Sequence, residues 1–422
     1  MGIQSAMYSG VSGLNTNSQA MSVIGNNLAN TNTIGFKGAR TIFSDLLSSN
    51  IYGSGGFSQV GRGVNISVVD NIYSQGTFES TNSATDVAIE GEGFFLLKEP
   101  GNDTTFYSRA GAFRFDEDGY LVNPEGMHVQ GKQFDENGEL IAGDPGDIRV
   151  RAAGLVPAQA TTTMSFNTNL DANSQIPDGG WQAWDPVDTT TYNYSASTQI
   201  YDSLGEPHLV TAYWRITDPA ANTWEWYWTA EDINGDAVGL QAGAAAAGDI
   251  TFNTDGTLDQ GGVADIGPID WGNGSDESNL EITFDTTQFD TESVVISQDQ
   301  NGFGAGNLTN VAIDSDGIAI ATYSNGEQVK IGQLVLGKFT NPNGLEAAGA
   351  NLYIATNNSG TPRVGLPGPE LGKIYTNSLE QSNVDLGQEF VKMITVQRGF
   401  QANSKIISTV DELLGELINL KR

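Results

Sequence analysis

Two histidines and a scatter of Asp-rich turns are the residues whose types could do chemistry in this 422-residue chain. His208 lies in Gly205-Glu206-Pro207-His208, a turn sequence. A Ser-His-Asp relay needs its base held beside a nucleophile, and no spacing around His128 or His208 supplies one. Both are read as surface or turn histidines. With two His and no Cys, the usual nitrogen and sulfur set for zinc is missing. Asp314-Ser315-Asp316-Gly317 and Asp232-Ile233-Asn234-Gly235-Asp236 begin like calcium loops, but neither runs on to the bidentate Glu that completes one. They are read as hairpin turns. Gly61-Arg62-Gly63 and Gly91-Glu92-Gly93 lack the third glycine and the following helix of a dinucleotide fingerprint. Alternation along Thr223-Trp224-Glu225-Trp226-Tyr227-Trp228 puts three indoles on one strand face, to stack sugars or, the favoured reading, to fill the core of a small barrel. No carboxylate pair stands out for glycoside hydrolysis. The expectation is no catalytic, cofactor-binding or metal residue, and no enzyme.

The bulk composition points elsewhere. Net charge is −32, charged residues make up only 17%, and glycine numbers 52. Such acidity excludes a nucleic-acid partner, whose phosphates need a basic face, and an anionic membrane surface. Low charge with abundant glycine suits turn-rich β-domains. No apolar run of signal-peptide length precedes Lys37, the first basic residue, and no stretch reaches the roughly 20 apolar residues of a membrane span. Ala6 stands where a myristoylation signal wants Ser or Thr.

The positioning elements are clearest at the two ends. Met7, Leu14, Met21 and Leu28 recur every seventh residue, and so do Leu386, Met393, Phe400, Ile407 and Leu414. These nine residues are the candidate assembly interface. Each stripe predicts an amphipathic helix that needs a mate, and the simplest geometry joins the two ends as a coiled coil. The first helix spans about Ile3 to Leu28 and ends at the Asn/Thr cluster 26–32. Ile42, Phe43, Leu46 and Leu47 suggest one or two helical turns. Asp385 or Asn383 caps the last helix.

Between the helices the pattern is strand-like, with Val64/Ile66/Val68, Val87/Ile89 and the buried-type run Phe94 to Leu97. Three related segments, 115–121, 134–140 and 252–258, each read as a hairpin with an Asx-Gly turn. From about 154 to 300 the chain turns acidic and carries all seven tryptophans, with Arg215 the one basic residue between Ala152 and Val329. The layout is therefore nested. Residues 1–31 and 383–422 form an inner helical, coiled-coil-like domain, and 32–72 with 373–382 connect it. Residues 73–153 and 301–372 form a β-domain, into which a β-barrel-like outer domain, 154–300, is inserted.

The terminal motifs resemble those of bacterial flagellar axial proteins of the rod and hook. The residues are Ser9-Gly10-Val11-Ser12-Gly13-Leu14, Ile24 to Asn30 and Thr33-Ile34-Gly35-Phe36-Lys37, then Leu379 to Leu386 and Met393 to Asn403. The long acidic insertion, together with Tyr201-Asp202-Ser203-Leu204-Gly205-Glu206-Pro207-His208, is similar to the hook branch. The resemblance implies a curved helical tube of identical subunits that passes motor torque to the filament, with the terminal helices around an export channel. It implies as partners further copies of the chain, rod proteins, the hook cap and hook–filament junction proteins. It implies an extracellular location in the flagellum, reached through the flagellar type III system without a cleaved signal, and no cofactor. In a free monomer both ends are expected to be disordered, up to about residue 70 and beyond about 375. The alternatives are a distal rod protein and, from another class, a secreted carbohydrate-binding protein.

Overall fold

The computed structural model describes residues 2–53, 56–135, 138–150, 155–177, 183–232 and 235–420. Two long helices, α1 (Gly2–Ala29) and α2 (Leu386–Leu420), bracket a chain that is otherwise strands and turns. α1 contains no charged residue. It ends where Asn30 bonds back to Asn26 through both its backbone N–H (3.2 Å) and its side-chain Nδ2 (2.9 Å). Five residues on, Gly35 adopts φ +69°, a conformation that favours glycine. α2 starts at an N-cap: Asp385 Oδ1 accepts the Gln388 backbone N–H at 3.0 Å. Asn383, the other capping candidate, instead accepts from Gly38 N–H and donates to the Ile72 carbonyl.

The chain divides into two compact units. The first comprises residues 1–152, 311–321 and 329–422, the second 153–310 and 322–328. In the first unit, α1 lies on a two-stranded ribbon in which Ala39–Asp45 pairs with Val64–Asn71. The expected helical turns at residues 42–47 are therefore corrected: Ile42 and Phe43 lie in a strand. Thr41-Ile42-Phe43 has the branched and aromatic residues that suit a pleated surface, and Val64, Ile66 and Val68 supply its ladder. The core of this unit is built on Phe94–Lys98. Phe95 and Leu97 pack with Val87, Ile89, Val129, Leu334 and Leu336 on one face, while Phe94 and Leu96 pack with Tyr107, Phe339 and Tyr353 on the other. A strand buried on both faces explains the unbroken apolar run.

The second unit holds two sheets. In one, Thr163–Asp171 pairs parallel with Ser278–Phe289 and antiparallel with Val294–Gln300. The other is a meander through Tyr194–Tyr201, Pro207–Asp218, Thr223–Ala230, Gly248–Phe252 and Leu258–Gln260. Both send apolar side chains into a single core. Trp224, Trp226 and Trp228 belong to that core at 0%, 1% and 8% exposure, so the indole face packs inward and offers no platform for a sugar. Trp181 lies outside the described residues.

The predicted hairpins form. Asp116 Oδ1 accepts the Tyr120 N–H (2.7 Å) and Asp135 Oδ1 the Glu139 N–H (2.8 Å), with Gly119 and Gly138 at positive φ. The Asn253 N–H closes the third turn onto the Thr257 carbonyl at 2.8 Å. Asp314 and Asp232 use their carboxylates in the same way, on the Ile318 and Asp236 amides. These are turn residues, although 136–137 and 233–234 fall outside the described part.

Trp226→Ala should destabilise the second unit by about 3–5 kcal/mol, the usual cost of emptying a large aromatic site. Urea unfolding followed by tryptophan emission would measure it. An unchanged midpoint would show that the indole is not core.

Candidate assembly interface

The helices pair antiparallel. Gly10 lies against Ile407 and Asn403, Gly13 against Asn403, and Asn17 against Gly399. Asn27 Nδ2 reaches Glu389 Oε2 at 3.2 Å. A Cβ on Gly13 would stand 2.6 Å from Asn403 Nδ2, so a larger residue there would have to displace the Asn403 amide. The buried seam on α1 is Gly10, Gly13, Thr16, Ala20, Ile24 and Asn27. Small and amide side chains let backbones approach but bury little apolar area, so this pairing alone is weakly stabilised.

Of the nine stripe residues, only Ile407 is seen to reach that seam, against Gly10. Met7, Leu14, Met21, Leu28 and Met393 flank it half-buried, and Ile407 is itself half-buried. Leu386, Phe400 and Leu414 stay exposed at 49%, 41% and 38%. α2 also exposes Phe390, Val391, Ile394, Ile406 and Leu413. The ribbon exposes Phe43, Val68 and Val69, and Leu47 just beyond its first strand is exposed too. The ends thus come together as expected, with Ile407 the one stripe residue seen in contact and the rest of the α1 side made by smaller residues. The signal for the true seam was present as small residues recurring at three- and four-residue spacing, but it was masked by the larger side chains beside it.

A second feature went unassigned although its residues stand in the terminal motifs. Lys37 and Glu380 are completely buried and 2.6 Å apart. The other carboxylate oxygen of Glu380 faces Arg109 Nη1 at 3.5 Å. Glu380 Oε1 also accepts the Gly76 N–H (2.8 Å), and the Glu380 carbonyl accepts the Gly35 N–H (2.7 Å). Lys37 Nζ donates to the Ser74 carbonyl and Arg109 Nη2 to the Gly91 carbonyl. Arg109 lies over the Phe94 ring at 5.0 Å. Burial pulls the Lys37 and Arg109 cations below their ordinary pKa values, and Glu380 opposes the pull. The cluster joins the end of the α1 segment, the β core and the strand Ser378–Glu380 that leads into α2. One clue in the sequence was Lys37 itself, the first charge in a chain otherwise neutral to that point.

The histidines sit in structural pairs. His208 is buried, which corrects the surface or turn expectation. It stacks on Trp271 (4.0 Å) and its Nε2 meets Asp202 Oδ2 at 3.2 Å. Asp202 also takes the Asn273 amide and the Leu204 and Glu206 backbone N–H groups. His128 Nδ1 meets Asp147 at 2.9 Å. Among the described residues no three His, Cys, Asp or Glu side chains are grouped to hold a metal ion, and no helix is long and apolar enough to cross a membrane.

Paired terminal helices with apolar side chains left uncovered, around a nested β body, define a subunit of an assembly. The family models agree. Flagella basal body rod protein matches residues 7–37, the flagellar hook protein FlgE/F/G D1 domain 88–169, the flagellar basal body protein FlaE D2 domain 169–303, and the flagellar basal body rod FlgEFG protein C-terminal 375–420. The chain is therefore a flagellar axial protein. It is 36% identical to the flagellar hook protein FlgE of Borreliella burgdorferi, over 99% of each chain. It is 34% identical to that of Salmonella typhimurium, over 97% of this chain and 98% of the other. A crystal structure of a Helicobacter pylori flagellar hook protein, 15% identical, superposes with a TM-score of 0.52 over 72% of this chain and all of that one, which supports the fold. This chain belongs to the flagellar hook protein family and is a structural subunit of the hook.

Two tests follow from the geometry. In a chain without native thiols, Gly10→Cys with Ile407→Cys should close an intrachain disulfide on mild oxidation, seen as a faster-running band, while Gly10→Cys with Glu389→Cys should not. The opposite result would reverse the helix polarity. For Asp202, burial would raise the pKa, but the Asn273 amide, the Glu206 N–H, His208 and the Leu204 N–H together hold it below the usual value. The folded carboxyl being the stronger acid, its contribution is present above about pH 4 and is lost as pH falls below that. The urea midpoint of the tryptophan-reported transition should fall over that range, and less steeply in Asp202→Asn.

Proposed function

We propose that many copies of this chain stack into a curved hollow tube that works as a universal joint, passing motor torque to the filament. In this reading residues 1–31 and 383–422 form the innermost layer around an export channel. Residues 32–72 and 373–382 connect it to the β-domain of 73–153 and 301–372, and 154–300 forms the outer layer. The observation that carries the proposal is the apolar surface left on α2 after α1 is in place, at Leu386, Phe390, Ile394, Phe400, Leu413 and Leu414. A helix with apolar residues on several sides requires several neighbours. Copies of the same chain are the neighbours its family membership offers, in an open heterologous assembly. Met7, Leu14, Met21, Leu28, Leu386, Met393, Phe400, Ile407 and Leu414 are proposed as contacts between copies.

Bending requires outer contacts that exchange while inner ones hold. Apolar inner contacts suit holding. The polar, acidic second unit suits exchange, because wet polar contacts re-form at little net cost. Rod proteins at one end, and the cap and junction proteins at the other, are the proposed partners. Type III export without signal cleavage is the proposed route to the cell exterior, and the role is structural, with no catalysis.

Leu386→Asp combined with Phe400→Asp should abolish tube formation by the purified chain in electron micrographs while leaving tryptophan emission unchanged. Normal tubes from that variant would refute the proposed interface.

A further inference from the structure

We infer that Glu380 is the positioning residue that seats both chain ends on the β-domain, and that it seats them in a fixed order. The inference rests on the assembly reading above, in which the ends become ordered as copies join. Arg109 belongs to the folded β core, where it bonds the Gly91 carbonyl and lies over Phe94. Lys37 and Glu380 arrive on the two terminal segments.

The three side chains sit in a space closed to water, which makes the order of arrival matter. Glu380 meeting Arg109 alone forms a balanced pair. Lys37 arriving without Glu380 would place a second cation near Arg109 with no anion between them, and buried like charges are strongly unfavourable. The Coulomb repulsion between Lys37 and Arg109 already acts in the complete cluster, where Glu380 outweighs it. The C-terminal segment can therefore seat first, and the N-terminal segment can seat only afterwards. The backbone repeats this dependence: the Gly35 N–H donates to the Glu380 carbonyl and the Gly76 N–H to its carboxylate, so the two N-terminal loops of the connection are pinned by one residue of the C-terminal strand. Gly35 also lies against the Ala110 backbone, so its segment has no slack in which to seat differently.

The signature is a rescue. Full-length wild type, Glu380→Gln, Lys37→Met and the double variant are compared for the critical concentration of tube formation. Glu380→Gln should raise it at least ten-fold, because two cations are left without their anion. Lys37→Met should raise it less, and adding Lys37→Met to Glu380→Gln should lower it again, since one of the unpaired cations is gone. The tryptophan-reported unfolding of the second unit should be the same in all four. A double variant as impaired as both single effects combined, or Glu380→Gln assembling like wild type, would overturn the inference. If wild type itself forms no tubes, it is the assembly reading that falls. The clasp is then read by hydrogen exchange at Gly35 and Gly76 in the soluble chain. Faster exchange in Glu380→Gln, partly restored in the double variant, supports it; equal exchange in all four overturns it.

Discussion

Charge buried out of reach of water is the constraint around which this chain is arranged. Lys37 and Arg109 share one dry site with Glu380, which lies 343 and 271 residues further along the chain. Each of these ions alone would be costly there by several kcal/mol, and the cluster is tolerable only when the geometry is right and the leftover donors find carbonyls. Here Lys37 reaches the Ser74 carbonyl and Arg109 Nη2 the Gly91 carbonyl, while Arg109 Nε stays buried without a partner among the described residues. The result is directional in a way that apolar packing is not. A greasy contact can slide by a few ångströms and keep most of its area, whereas a carboxylate shared between an ammonium and a guanidinium cannot. The helices leave the β body at a place fixed by this cluster and by the amide bonds of Asn27 and Asn383 beside it.

Beyond that root the physics changes. The seam between α1 and α2 is made mostly of small and amide side chains, with Ile24 and Ile407 among them and the other large apolar groups on its flanks. A pair held by small residues is close but weak, and the side chains that could have strengthened it face away. The division makes sense for a part that must associate with copies of itself: the intrachain contact sets direction, and the apolar surface remains available for neighbours. In the second unit the logic is that of an ordinary globular core, where Phe166, Trp214, Trp226 and Phe284 meet edge to face between two sheets.

How much of this was legible in the sequence depends on the range of the interaction. Periodicity gave both long helices nearly to their ends, because the heptad is a local signal. The Asx-Gly turns gave the hairpins for the same reason. Burial of the three indoles followed from strand alternation. What failed was partner choice. Ile42 and Phe43 look helical by spacing, and only their pairing with Val68 and Ile66 makes them a strand. His208 looks like a turn residue, and only Trp271 and Asp202 make it part of a core. The heptads named the large residues, while contact distance selected Gly10 and Gly13. The Lys37–Glu380 pair spans most of the chain, and nothing local to either residue announces the other.

Antiparallel pairing has a consequence for the chain's extremities. With Gly10 beside Ile407 and Asn27 beside Glu389, Gly2 and Leu420 come out toward the same tip of the helix pair. In that register Gly2 lies opposite about residue 415, so α2 overhangs its mate there by about 8 Å at 1.5 Å per residue. An affinity tag or fluorescent fusion placed on either terminus therefore lands at one location, and switching from an amino-terminal to a carboxy-terminal label brings no relief from crowding. A permissive place for added sequence lies instead at the corner Asn123-Pro124-Glu125-Gly126, where the last three residues are exposed and a side chain on Gly126 would meet open space.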